Sequence, residues 1–294
     1  QDPQLQAYIH EALTNNWDVQ IAVARVLQAE AAARVTRSQF VPTVVAGGDL
    51  ITTRASERGP TTIPAGIDPQ KEYGDVYVSM PAYELDLWGR LRRAHEAARA
   101  QLLAAQVAQQ TVRQTLVAQV ATAYLNLLEL DYELEITLQT YSGRTNSLAL
   151  TTAREEGGVT SLHDVEQARI LVAAAEASLV DTRGRIEQQE NELCILLGRN
   201  PGPLERGEGF SRQNLETTVP PGLPSSLLER RPDIRYAEQQ LVAANADIGQ
   251  AKAAFFPALT LTGMYGYQTV ALSDLFTAPA RTWQFGPSIS VPIF

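Results

Sequence analysis

Cysteine is almost absent. The single thiol among 294 residues, Cys194, excludes an intrachain disulfide framework. Its setting, Glu192-Leu193-Cys194-Ile195-Leu196-Leu197, marks a packed side chain. Histidine is scarce too: His10, His95 and His163 lie far apart, and with one cysteine they offer no cluster at metal-ligand spacing. Neither a metal nor a cofactor is expected. Basic charge is short, and a net charge of −9 gives no general attraction to nucleic acid. No run approaches the ~18 apolar residues of a membrane-spanning helix. A membrane barrel remains open, because its strands alternate and never show such a run. The chain starts directly at a helix-like segment, so any targeting sequence is expected to have been removed or omitted.

What the chain has is helical periodicity of unusual length. From Leu91, apolar residues recur through Ala94, Ala98, Leu102, Ala105, Val112, Leu116, Val120, Ala123, Leu127, Leu130, Leu134, Leu138 and Tyr141. Steps of three and four without proline specify a helix. A second seam runs through Ala97, Ala100, Leu103, Val107, Val117, Ala121, Tyr124, Leu128 and Tyr132, so the helix has a neighbour on each side. At 1.5 Å per residue, Trp88–Glu155 spans roughly 100 Å, more than an ordinary globular core. After Gly157-Gly158 a second helix returns to Leu197. Such an object is not a compact enzyme.

The rest of the chain repeats itself. Residues 1–198 read as a first structural repeat, with helices over 4–39, strands over 43–53 and 73–87, and the helical hairpin over 88–197. Residues 199–225 are rich in Gly, Pro and charge and read as a mid-height connector. Residues 226–294 read as a second, truncated repeat, with a helix over 227–254 and strands over 257–270 and 282–294. A constant offset of 215 aligns Leu227–Ile234 with Ala12–Val19, Phe255-Phe256-Pro257 with Phe40-Val41-Pro42, and Gly263 with Gly48. In the first copy a helical hairpin follows the strands. By analogy, a second hairpin of roughly 110 residues is expected beyond Phe294.

Two exposed hairpins leave open edges that must be closed. Four strands are too few for a barrel, but three chains supply twelve, and closed membrane barrels need at least eight. The fold class is therefore mainly α with β: long antiparallel helices forming part of an α-helical barrel, plus four strands contributed to a trimeric 12-stranded transmembrane β-barrel. A soluble sheet packed on its own helices is the alternative from pattern alone.

The stretches Tyr83-Glu84-Leu85-Asp86-Leu87-Trp88-Gly89-Arg90, Leu228-Glu229-Arg230-Arg231-Pro232-Asp233-Ile234 and Phe255-Phe256-Pro257 resemble the TolC-type outer-membrane factors. So does Trp283…Phe285-Gly286-Pro287…Val291-Pro292-Ile293-Phe294. The likeness is specifically to the NodT branch, which serves resistance-nodulation-division pumps, and it covers essentially the whole chain in order. The resemblance implies a homotrimer in outer-membrane lipid above a periplasmic helical tunnel. It also implies a periplasmic adaptor and an inner-membrane pump as partners, export of drugs, toxic compounds or metals, and in many members a lipidated N-terminal cysteine.

Two groups of residues then carry the expected sites. The resemblance makes Arg154, Gly158, Val159, Thr160, Ser161 and Asp164, at the hairpin turn, a periplasmic tip that docks the adaptor. The same residues suit any tight helical hairpin: Gly158 ends one helix, Thr160 or Ser161 caps the next, and Asp164 lies in its first turn. Asp86, Trp88, Gly89, Arg90, Phe255 and Pro257 are expected at the barrel-to-tunnel junction, with Trp88 buried. Tyr73, Tyr77, Tyr83, Tyr265, Tyr267 and Trp283 suit interfacial aromatic belts. His163 beside Asp164 has neither nucleophile nor oxyanion donor near it and reads as a solvated tip residue. Glu84 and Asp86 read as structural or pore-lining rather than catalytic. The competing function is a periplasmic coiled-coil adaptor, which would add lipoyl-like and barrel domains that the sequence does not show.

Overall fold

The structure, a computed structural model, describes residues 2–56, 58, 64, 66, 68–212 and 229–294. The expected helix start at Leu227, the motif's Leu228 and most of the connector from 213 onward lie outside the described residues, as does much of the loop after Arg54. The elements are α1 (Pro3–Asn15), α2 (Trp17–Ser38), β1 (Val45–Arg54), β2 (Gln70–Leu85), α3 (Arg90–Glu156), α4 (Leu162–Leu197), α5 (Pro232–Ala253), β3 (Ala258–Thr269) and β4 (Arg281–Ser290). Two compact units draw on separate stretches: Gln1–Leu27 with Ala105–Tyr236, and Gln28–Ala104 with Ala237–Phe294.

In the first unit α1 packs on the α3–α4 hairpin. Tyr8, Ala12, Val120, Tyr124, Leu127, Leu193, Cys194 and Leu197 form its centre. Both seams of α3 feed this core, Leu116, Val120 and Leu127 from one and Tyr124 and Leu128 from the other. Hydrogen bonds hold the connector to the hairpin. Tyr8 donates its hydroxyl to the Glu205 carbonyl (2.8 Å), and Tyr124 donates to Asp2 Oδ2 (2.8 Å) while accepting from the Gly207 N–H (3.0 Å). Arg206 spans Asp131 (2.9 Å) and Glu190 (2.5 Å). Burial opposes the charge on Arg206, but these two carboxylates hold its pKa above the ordinary arginine value. Toward the hairpin turn the cover runs out: past Leu130 no α3 residue is buried, and Leu138, Leu150, Ile170 and Leu171 are exposed.

In the second unit the strands form one antiparallel sheet in the order β1-β2-β3-β4. Its register sorts the side chains. Ala46, Val78, Tyr265 and Trp283 lie side by side on one face, with Met80, Gly263 and Phe285 as the next row on that face. The other face carries Asp49, Asp75 and Gln268, then Val45, Ser79, Met264 and Gln284. Among the described residues no helix lies along either face. Leu50, Val78, Trp283, Phe285 and Ile289 are left exposed. The alternative of a sheet packed on its own helices is not what the chain adopts.

Two expectations are corrected by the register. Tyr73 and Tyr77 fall on the polar face, because β2 pairs Tyr77 with Gly47 and Gly266. The Tyr77 ring covers Gly47, where a Cβ would come within 2.8 Å of it. Tyr83 keeps to the apolar face only because a bulge between Met80 and Tyr83 resets the alternation around Pro81.

Candidate functional site

The strand-to-helix junction is built on Asp86. Gly89 turns the chain at φ +83, where a side chain is disfavoured. That turn brings the Asp86 carboxylate back over the first turn of α3. It accepts from the N–H groups of Leu91 and Arg92 (both 3.0 Å) and from Arg92 Nε (3.1 Å). Burial works against the Asp86 charge, yet these donors together hold its pKa below the ordinary aspartate value. Alongside, Arg90 grips both Glu84 oxygens (2.7 and 2.5 Å). Each carboxylate read from sequence as structural or pore-lining is thus spent on an arginine six positions on.

Trp88 differs from expectation. Its indole stacks on Phe256 (centroids 4.9 Å apart) and donates Nε1–H to the Pro257 carbonyl (2.7 Å), but 51% of the residue stays exposed. The helix starts at Arg90, so Trp88 sits in the turn and not on a helix face. Phe255 takes no part in this stack and is 81% exposed. The junction thus brings Asp86, Trp88, Gly89, Arg90 and Pro257 together, without Phe255. His95, one turn deeper, meets α2 through Thr36 (3.1 Å) and the Phe40 ring.

At the hairpin turn, α3 closes on paired bonds: the Gly158 N–H donates to Glu155 and the Val159 N–H to Arg154 (both 2.8 Å), with Gly158 at φ +75. Ser161 caps α4 in a capping box with Asp164. Asp164 Oδ2 accepts from the Ser161 hydroxyl (2.7 Å), the Thr160 hydroxyl (2.7 Å) and the Ser161 N–H (3.0 Å). These bonds, the Ser161 hydroxyl first, lower its pKa to about 2. Among the described residues nothing covers the turn. Val159 is 79% exposed, Leu162, Arg154 and His163 are exposed too, and a Cβ on Gly158 would meet nothing within 4 Å. The turn is a capped knob with apolar side chains in solvent.

Comparison with known proteins bears on this arrangement. The family profile described as "Outer membrane efflux protein" matches residues 8–199 and 223–294. The chain belongs to that family. It is 40% identical over 294 residues to the solvent efflux pump outer membrane protein SrpC of Pseudomonas putida, which covers 100% of this chain and 62% of SrpC. A crystal structure of a membrane protein from Pseudomonas aeruginosa shares the fold at a TM-score of 0.90 and 35% identity, covering 100% of this chain and 68% of that one. The open-state MtrE outer membrane channel of Neisseria gonorrhoeae gives 0.85 at 31%, covering 100% and 64%. The chain therefore spans less than two thirds of the length of the curated relatives it matches. Long helices with an antiparallel sheet are the fold of TolC-like channels, as the sequence resemblance implied. The match is to channel and efflux proteins rather than enzymes, and it favours the channel reading over the adaptor.

The Arg206 clasp escaped sequence reasoning. Arg206 sits in a stretch read as irregular, and nothing in its spacing points to Asp131, 75 positions earlier. The Glu84–Arg90 pair was equally hidden, since strand alternation predicts a face and not a partner across a turn.

Proposed function

We propose that this chain is part of the outer-membrane channel of a tripartite efflux system, a passive trimeric conduit for small molecules. The observation that carries the reading is the sheet: one apolar face without a helix over it, one polar face, and two open edges. Only lipid outside and water inside suit that pair of faces. Closure then demands further strands, and threefold assembly supplies twelve. The uncovered Leu138, Leu150, Ile170 and Leu171 are apolar surface for neighbouring helices, from other protomers or from a second hairpin in the same protein.

The duplication belongs to this reading. α2 and α5 each contain 22 residues, and both ends of one lie 215 positions from those of the other. That correspondence supports reading residues 226–294 as a second copy of the plan that opens the chain. The tip residues Arg154, Gly158, Val159, Thr160, Ser161 and Asp164 dock a periplasmic adaptor, which couples the channel to an inner-membrane resistance-nodulation-division pump. Its support is the exposed Val159 and Leu162 on a turn held by paired helix-end bonds and a capping box. The junction residues Asp86, Gly89 and Arg90 lock strand to helix where barrel passes into tunnel.

The experiment is expression of the full-length protein in cells whose pump lacks its own channel. Restored efflux, with a heat-labile trimer in the outer-membrane fraction, is the expected result. A stable soluble monomer would sink the proposal.

A further inference from the structure

Because the strands are antiparallel, β1 and β3 begin, and β2 and β4 finish, at one end of the sheet, where α2, α3 and α5 join it. Two helices stop there on the same arrangement. α2 has Arg37 in its last turn, then Phe40 and Pro42; α5 has Lys252 in its last turn, then Phe255 and Pro257. The spacing is a cation, a phenylalanine three positions on, and a proline five positions on. At the third junction Trp88 precedes Arg90, Arg92 and Arg93.

These cations are not equivalent. Arg90, Arg92 and Arg93 pair with Glu84, Asp86 and Glu96. Arg37 and Lys252 are exposed, their backbone carbonyls accept from the Phe40 and Phe255 N–H groups, and among the described residues neither side chain has a hydrogen bond or an ion pair. Arg93 passes over Gly249 of α5, where a Cβ would approach its Cδ to 3.0 Å, one helical turn from Lys252. A chain of net charge −9 thus holds two uncompensated cations at this end of the sheet, Lys252 near the exposed Phe255 and Arg37 near Phe40, whose half-buried ring packs on His95. In a lipid interface, aromatic rings settle at headgroup level and nearby cations are attracted to anionic headgroups.

We propose that this rim binds anionic phospholipid in the adjoining leaflet. Arg37 and Lys252 pair with the headgroup phosphodiester, while Trp88, Phe255 and Phe256 enter the glycerol–acyl boundary. The repeat gives each protomer two such cations, with the exposed rings on the Lys252 side. The inference rests on the outer-membrane reading above.

The test uses the full-length protein in phosphatidylcholine vesicles containing a minor fraction of phosphatidylglycerol. Insertion is read by heat-modifiable migration, and the lipid retained after detergent extraction is read by mass spectrometry. The wild type is expected to retain phosphatidylglycerol in excess over the bulk. Each of R37Q and K252Q is expected to reduce that excess about fivefold. R113Q, which removes an exposed cation 23 positions along α3 from Arg90, is expected to leave it unchanged. Inserted wild type without enrichment, undiminished enrichment in R37Q/K252Q, or an equal loss in R113Q overturns the proposal and leaves the outer-membrane reading intact. Wild type that does not insert overturns that reading, and the proposal falls with it.

Discussion

The Asp164 carboxylate is exposed, yet it gathers two hydroxyls and a backbone N–H at the start of α4. Folding holds its pKa at about 2, below the ordinary 3.8. Its contribution is therefore complete above about pH 4 and disappears as the pH falls toward 2. The protection of amides at the α4 N-terminus, taken relative to the intrinsic exchange rate at each pH, is expected to fall across that window and to be flat from there to neutrality. Asp164→Asn should show the low protection at every pH. Tyr124 makes the opposite kind of contact, deep in the core. Burial first, and then the Asp2 carboxylate, push its pKa to about 12, so it remains a neutral donor at any physiological pH. Tyr124→Phe removes the donor to Asp2 and the acceptor for Gly207, and is expected to cost about 1–3 kcal/mol, read from a denaturant midpoint. At this scale the sequence was legible where a residue acts on its near neighbours. The Ser161–Asp164 box has a spacing of three, which helix geometry makes readable. Trp88 was misjudged because its burial depends on how a turn swings, and turns carry no periodicity.

Helix ends show the same division. Gly158 and Gly198 both sit at φ +75, but their surroundings differ. A Cβ on Gly158 meets open space, whereas one on Gly198 would lie 2.6 Å from the Asn15 carbonyl oxygen. Gly158→Ala is expected to cost about 1 kcal/mol of left-handed strain. Gly198→Ala should cost clearly more, since α1 must also shift, and the two melting temperatures would reveal the order. Asp86→Ala removes the cap of α3 and is expected to lose about 1 kcal/mol, with fraying confined to its first turn. The long helices were readable end to end, because seams of three and four leave little choice over so many residues. Their first residues were not: α3 begins at Arg90 and not Trp88, since Gly89 takes a conformation no helix contains.

For the whole molecule, the two faces of the sheet make the sharpest contrast. Phe285 and Gln284 are neighbours near the middle of β4 on opposite faces. Phe285→Lys places a charge toward lipid and is expected to cost about 2–4 kcal/mol of barrel stability. Gln284→Lys faces the lumen and should leave the heat-modifiable form intact. Equal effects would mean that the faces are assigned the wrong way or that no bilayer contacts the sheet. Alternation along each strand made the faces legible, and the constant offset of 215 exposed the duplication. Strand order was beyond it, because β2 pairing with β3 joins segments from different copies of the repeat.

β1 and β3 finish, and β2 and β4 begin, at the end of the sheet opposite the helices. If a bilayer surrounds these strands, their tips must be pushed through it during insertion while the helices stay behind. A short epitope spliced between Arg54 and Gln70 would then become visible to antibody on intact cells, and one placed after Glu156 would stay hidden until the envelope is opened.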